Sequence, residues 1–128
     1  MSISNYLEAK ILDHVLRYST APYTGPGTVY LALHTQDPGE AGTGTEVAAG
    51  AYTYARQSIA FSAASGGSIS MSNAYIEYTN MPGVTVTHVA LWDASSSGNC
   101  LWSGALTASR TVTAGDTLRI TSLTVTLD

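Results

Sequence analysis

Val29-Tyr30-Leu31-Ala32-Leu33-His34 is the run on which the fold turns. Val29, Leu31 and Leu33 alternate with Tyr30, Ala32 and His34, a period of two that gives a strand one buried face. From here to the end of the chain, apolar residues alternate with Ser and Thr, and turn residues interrupt the pattern at short intervals. The expected strands cover about residues 52–61, 68–78, 84–92 and 100–106, broken at Ser65-Gly66-Gly67, at Met81-Pro82-Gly83 and across residues 93–99. A final hairpin is expected to pair residues 110–113 with 117–127 across Ala114-Gly115-Asp116. Seven or so short strands bounded by turns point to a mainly β protein, an antiparallel β-sandwich or jelly roll, rather than to a parallel sheet. Near the end Leu118 and Ile120 are even-numbered while Leu123, Val125 and Leu127 are odd. A strand facing one core cannot change phase without an extra residue, so a bulge or break is expected near Thr121-Ser122.

Upstream of this run the pattern changes. Residues 5–17, NYLEAKILDHVLR, are the only stretch with helical periodicity. Asn5 followed by Glu8 suggests an N-cap and capping box. Leu7, Ile11 and Val15 then share one side, widened by Leu12 and Leu16, and Asp13 and Arg17 stand at i,i+4 spacing. The helix is expected over 4–18, because residues 19–27 hold two prolines and two glycines. Its stripe is expected to cover one edge or end of the sheet, with docking on a partner as the alternative. The whole chain, 1–128, reads as a single β-sandwich domain with its strands over 28–128.

Downstream, Asp37-Pro38-Gly39-Glu40 places proline and glycine where a type II turn wants them. The glycine-rich segment to Gly50 reads as a long exposed loop.

Composition narrows the function. Only 11% of residues are charged, against 45% hydrophobic, so the polar surface is mostly Ser, Thr, Gly and Asn. Few charges then need desolvating on contact with another protein. A net charge of −4, with Lys10 the single lysine, excludes a phosphate-neutralising nucleic-acid surface. Cys100 is alone, which rules out an internal disulfide, and is expected to pack as a small hydrophobe. No apolar run reaches the roughly 20 residues a bilayer span needs, so no membrane partner is expected. The start lacks the basic head and apolar stretch of a signal peptide, and synthesis in a cytoplasm is expected.

Catalytic candidates are few. His14 lies on the helix, His34 ends a strand and His88 sits mid-strand, none of them at metal-ligand spacing, and no G-x-S-x-G elbow occurs. Asp93 and Asp116 occupy turns, where such side chains cap backbone N–H groups. Asp37, Glu40 and Glu46 offer hard oxygens for Ca²⁺, but without EF-hand spacing they read as solvated loop residues. Tyr52, Tyr54, Tyr75 and Tyr78 could form a stacking face for sugars, although core and interface positions explain them more simply. No enzyme activity, cofactor or metal is expected.

Several segments together carry a resemblance: NYLEAKILDHVLR (5–17), VYLALHTQDPGEAGTGTEV (29–47), YARQSIAFSAASGGSIS (54–70), VTHVALWDASSSGNCLWSGALTASRTVTAGDTLRI (86–120) and LTVTLD (123–128). The chain resembles a family of small structural proteins of tailed bacteriophages and prophages, commonly labelled tail-fibre-like, over nearly its whole length. The resemblance implies a virion protein made in the host bacterial cytoplasm, with no active-site positions to carry over. The short single domain also looks like jelly-roll capsid cement or decoration proteins. The first expectation is therefore a cement protein that bridges the major capsid protein's subunits as a small homo-oligomer. The alternative is a tail-associated or tail-fibre protein, contacting tail proteins and a host-surface glycan. The expected partner surface is Gln36, Asp37, Glu40, Thr43, Thr45 and Glu46 in the long loop and Ser95, Ser96 and Ser97 in the later turn, with exposed parts of the helix. Shortening residues 41–49 is expected to spare folding and weaken attachment.

Overall fold

The computed structural model describes residues 2–127. The termini Met1 and Asp128, which the sequence reading includes in the domain, lie outside the described residues. The protein is mainly β and antiparallel, with one helix. A five-stranded sheet has the order β1-β7-β6-β2-β3, from Ser2–Ile3, Cys100–Val112, Val84–Trp92, Val29–His34 and Gln57–Ile59. Two smaller pairs complete the sandwich-like arrangement: β4 (Ser68–Ser70) with β9 (Thr124–Thr126), and β5 (Ile76–Tyr78) with β8 (Leu118–Ile120).

The central strands are the ones whose alternation is clearest. β2 pairs antiparallel with β6, with Leu31 opposite Leu91 and Leu33 opposite Val89. Leu31, Leu33 and Val86 are fully buried, and β5, β8 and β9 contribute Ile76, Tyr78, Leu118 and Val125 to the same core. The Tyr78 hydroxyl donates 2.6 Å to the Leu31 carbonyl, so the one polar atom of a buried ring is satisfied across the two layers. Cys100 packs against Ala32, Ala90 and Trp92, as expected of a small hydrophobe.

Several boundaries differ from the sequence reading. The expected strands over 52–61 and 68–78 shrink to β3, β4 and β5, joined by irregular chain whose bonds come from side chains such as Asn73, which accepts from the Ala60 N–H. The expected C-terminal hairpin does not form. β7 instead runs on to Val112 beside β6, where Val112 stands opposite Val84, while β8 and β9 cross to β5 and β4. Tertiary pairing wins because β6 offers a nine-residue partner, whereas the first arm of the local hairpin, residues 110–113, would be only four residues long. The break expected near Thr121-Ser122 is present: β8 ends at Ile120 and β9 begins at Thr124.

α1 runs from Asn5 to Leu16, and its N-cap is Ser4 rather than Asn5. The Ser4 hydroxyl accepts from the Leu7 N–H and donates to the Cys100 carbonyl, and its own N–H donates 2.8 Å to the Leu101 carbonyl. Anchoring to β7 moves the cap one residue back from the position the local pattern favours. The Asp13–Arg17 pair forms at 3.0 Å. The stripe splits: Leu7 is buried and Ile11 packs partly on the core, but Leu12, Val15 and Leu16 remain 58%, 68% and 74% exposed. The expected cover for the sheet therefore extends over only the first half of the helix. The second half is tied to the following segment, where the Tyr23 N–H donates 3.0 Å to His14 Nδ1.

Candidate partner-binding surface

The loop after β2 folds back on its own strand. The Val47 N–H donates to the Leu33 carbonyl and the Thr35 N–H to the Thr45 carbonyl, each at 2.9 Å, which seats Val47 in the core. Gly39 takes the φ of +66° that the type II turn needs, with its N–H held by Asp37 Oδ1 at 2.8 Å. Gly42, at φ +70°, lies so close to the sheet that a Cβ would stand 2.5 Å from that of Cys100. Glu40 accepts from the Asn5 N–H, joining the loop to the start of α1. The turn between β6 and β7 closes on Asp93, whose carboxylate takes the Asn99 N–H at 2.7 Å and its side-chain amide at 2.9 Å.

Arg56 clasps the two together. Its guanidinium donates to both Glu46 carboxylate oxygens, with the shortest bond at 2.9 Å. The other terminal nitrogen donates to the Ala94 and Ser97 carbonyls at 2.9 and 2.8 Å. The same group lies 4.1 Å from the centre of the Trp92 ring, which also stacks with the His34 ring at 6.3 Å. Planar geometry, five donors and a preference for aromatic faces make arginine suited to all three roles at once. The pair is largely withdrawn from water, with the Arg56 side chain 6% and the Glu46 side chain 27% exposed. Arg56, one residue before β3, gives no local sign of this role, and the sequence reading passed over it.

Electrostatics follow from the clasp. Burial alone would raise the Glu46 pKa, but hydrogen bonds from Arg56 and Tyr54 outweigh it and hold the carboxyl below its ordinary range. Tyr54 donates 2.7 Å to Glu46 and accepts from the Leu33 N–H, and burial with the adjacent carboxylate pushes its phenol up. Burial lowers the His34 pKa, partly countered by the Glu46 charge and the bond between His34 Nδ1 and the Gly44 carbonyl. His34 Nε2 and Trp92 Nε1 are buried without a partner among the described residues, and burial favours the neutral form of His34. Burial pushes the Cys100 thiol up to about 11, so it is not a poised nucleophile.

The residues expected to meet a partner thus fall at one end of the main sheet, with different freedoms. Ser95, Ser96, Ser97, Thr43 and Glu40 are exposed, as are Gln36, Asp37 and Thr45. Gln36 is paired with the Thr45 hydroxyl at 2.9 Å and Asp37 caps Gly39. Glu46 is not a free contact; it is the counter-ion of Arg56. A shortening of residues 41–49 that spares folding would therefore have to keep Val47 in the core and Glu46 on Arg56. The carboxylates of Asp37 and Glu46 have these other duties, and no group of three or more metal-ligating side chains occurs among the described residues. Nor do the four tyrosines form one stacking face. Tyr54 and Tyr78 stack on each other at 5.8 Å, with Tyr78 buried, while Tyr75 lies under Arg119. His88 is a half-buried strand residue opposite His34 and Ala105, its Nδ1 bonded to the Thr87 hydroxyl.

Arg56, Glu46, Asp37 and Asp93 thus all serve to hold the loops at this end of the sheet in shape. The family model described as Podophage GP4 fiber I protein gp80 matches residues 2–128, and the chain belongs to that family. It is accordingly a bacteriophage virion protein of tail-fibre-like type. No curated protein matches the chain.

Proposed function

We propose that this chain is a non-enzymatic attachment module of a tailed-phage particle, seated in its fibre apparatus and contacting a neighbouring virion protein through the clasped loop and turn. The observation that carries this reading is Arg56, which joins residues 36–46 to the turn at 94–97 and presents their hydroxyls as one pre-shaped surface. A surface ordered before binding loses less entropy on contact, and its scarcity of charged side chains lowers desolvation cost. Identical contacts repeated by the symmetry of a particle add through avidity, so each can be weak. The family's description as a fibre protein supports the location.

Capsid cement is the second reading, supported by a β module whose sequence shows no internal repeat. There the same surface would meet the major capsid protein and stabilise the assembled lattice by mass action.

Immunogold labelling of intact virions tests both. Gold confined to the tail or its fibres supports the first reading, and gold spread over the head replaces it with the second. Thr43→Arg combined with Ser96→Arg should leave a folded protein that no longer enters particles. Normal incorporation of that variant would place the contact elsewhere.

A further inference from the structure

β7 is paired along only part of its length. Its outer edge meets β1 at Trp102 and Ser103, and from Gly104 onward it has no partner on that side among the described residues. On its other edge two steps along β6, from Val86 to His88, correspond to five along β7, from Arg110 back to Ala105. Residues 106–109 therefore leave that ladder as well. β8 and β9 each have a single partner, β5 and β4. An open groove of about 520 Å³ lies between these under-paired segments, with residues 105–108 and Arg110 on one wall and residues 118–124 on the other.

The groove's chemistry is distinct from the rest of the molecule. A chain of net charge −4 places two of its five cations here, Arg110 and Arg119, and no acidic residue lines the groove. Arg119 is already tied to Glu77 at 2.7 Å and lies over Tyr75. Arg110 is exposed and makes no side-chain hydrogen bond or ion pair among the described residues. The remaining polar lining is short, from Thr107, Thr121, Ser122 and Thr124, and lets another backbone come close.

We propose that this groove receives an extended, acidic polypeptide segment as an added strand, its backbone pairing with the free edge of β7 and a carboxylate meeting Arg110. Unpaired N–H and C=O groups along a strand are a template for strand addition, in which main-chain bonds give affinity and side chains give selectivity. The positive lining selects the acidic partner. An anionic saccharide would share the charge but not the need for a strand edge, and no aromatic side chain on which a sugar ring could stack lines the groove among the described residues. The inference concerns a different surface from the clasped loops and holds whether the chain sits on tail or head.

The test titrates the full chain with a blocked heptapeptide of alternating valine and glutamate, its valine–lysine counterpart, and hexagalacturonate, read by amide NMR shifts and hydrogen exchange. The glutamate peptide should shift and protect residues 104–110 and 118–124, more weakly as salt rises. Arg110→Glu should weaken that peptide by about tenfold and gain the lysine peptide, with Arg110→Gln intermediate and both spectra unchanged away from the groove. The proposal is overturned if the glutamate peptide leaves the groove unshifted, if Arg110→Glu binds it as well as the parent does, or if the lysine peptide binds the parent equally. Binding of hexagalacturonate in place of the glutamate peptide also overturns it and makes the groove a saccharide site.

Discussion

Arg56 and Arg110 are the same residue in two opposite situations. Arg56 is almost wholly enclosed, with a carboxylate, two carbonyls and an indole face around it. Arg110 stands exposed beside an under-paired strand with nothing bonded to it among the described residues. The first holds the protein's own loops; the second is available to something else. An enclosed guanidinium can shape a surface without touching a partner, whereas a free one can meet a partner without shaping the fold.

Thermal unfolding of the two alanine variants should expose that difference most sharply. Arg56→Ala leaves Glu46 half-buried without its counter-ion and frees two carbonyls, and should cost about 3 kcal/mol. The midpoint should then fall by roughly 10 °C. Arg110→Ala should stay within about 0.5 kcal/mol of the parent. Equal losses for the two would erase the contrast.

The next largest effect is expected where the helix meets the sheet. Ser4→Ala removes both the cap on Leu7 and the bond to Cys100, and should cost about 1 kcal/mol in chemical denaturation. Leu16→Asp, on the exposed half of the same helix, should leave stability nearly unchanged. Leu7→Asp should prevent folding, because an unpaired carboxylate would enter the core. A stable Leu7→Asp protein would mean that the helix contributes little to the fold.

The smallest effect is on pH. His34 is held neutral, so the unfolded chain binds the extra proton and stability declines as pH falls below the ordinary histidine range, near 6.5, until the folded form also protonates. Glu46 has a lowered pKa, so its contribution is present above about 4.5 and is lost as pH falls through the folded value. Denaturation midpoints measured from pH 8 down to 2 should fall in two stages, with the earlier stage missing in His34→Gln. A flat profile over that range would show that the clasp end does not couple to protonation.

Much of this was legible in the chain. Alternation in residues 29–34 and 84–92 found the central pair of strands, because both are long enough for a period of two to stand out. The phase change between Ile120 and Leu123 located a break that the structure contains. Proline and glycine in residues 37–40 found the turn, and residues 36–46 and 95–97 are held near one another by Arg56. Arg56 was invisible, since its partners lie ten and about forty positions away. The groove was hidden for the same reason: its walls come from segments whose own patterns read as a simple hairpin.

The sequence by itself determined the class: β strands with one helix, a surface poor in charge, and residues that resemble a phage virion family. Those properties rest on local steric preference and on composition, which need no neighbour. Tertiary structure alone decided which strands pair, which half of the helix stripe is covered, and which arginine is spent on the fold. Pairing partners, burial and charge compensation are relations between distant segments, and their free energies exist only once the chain has brought those segments into contact.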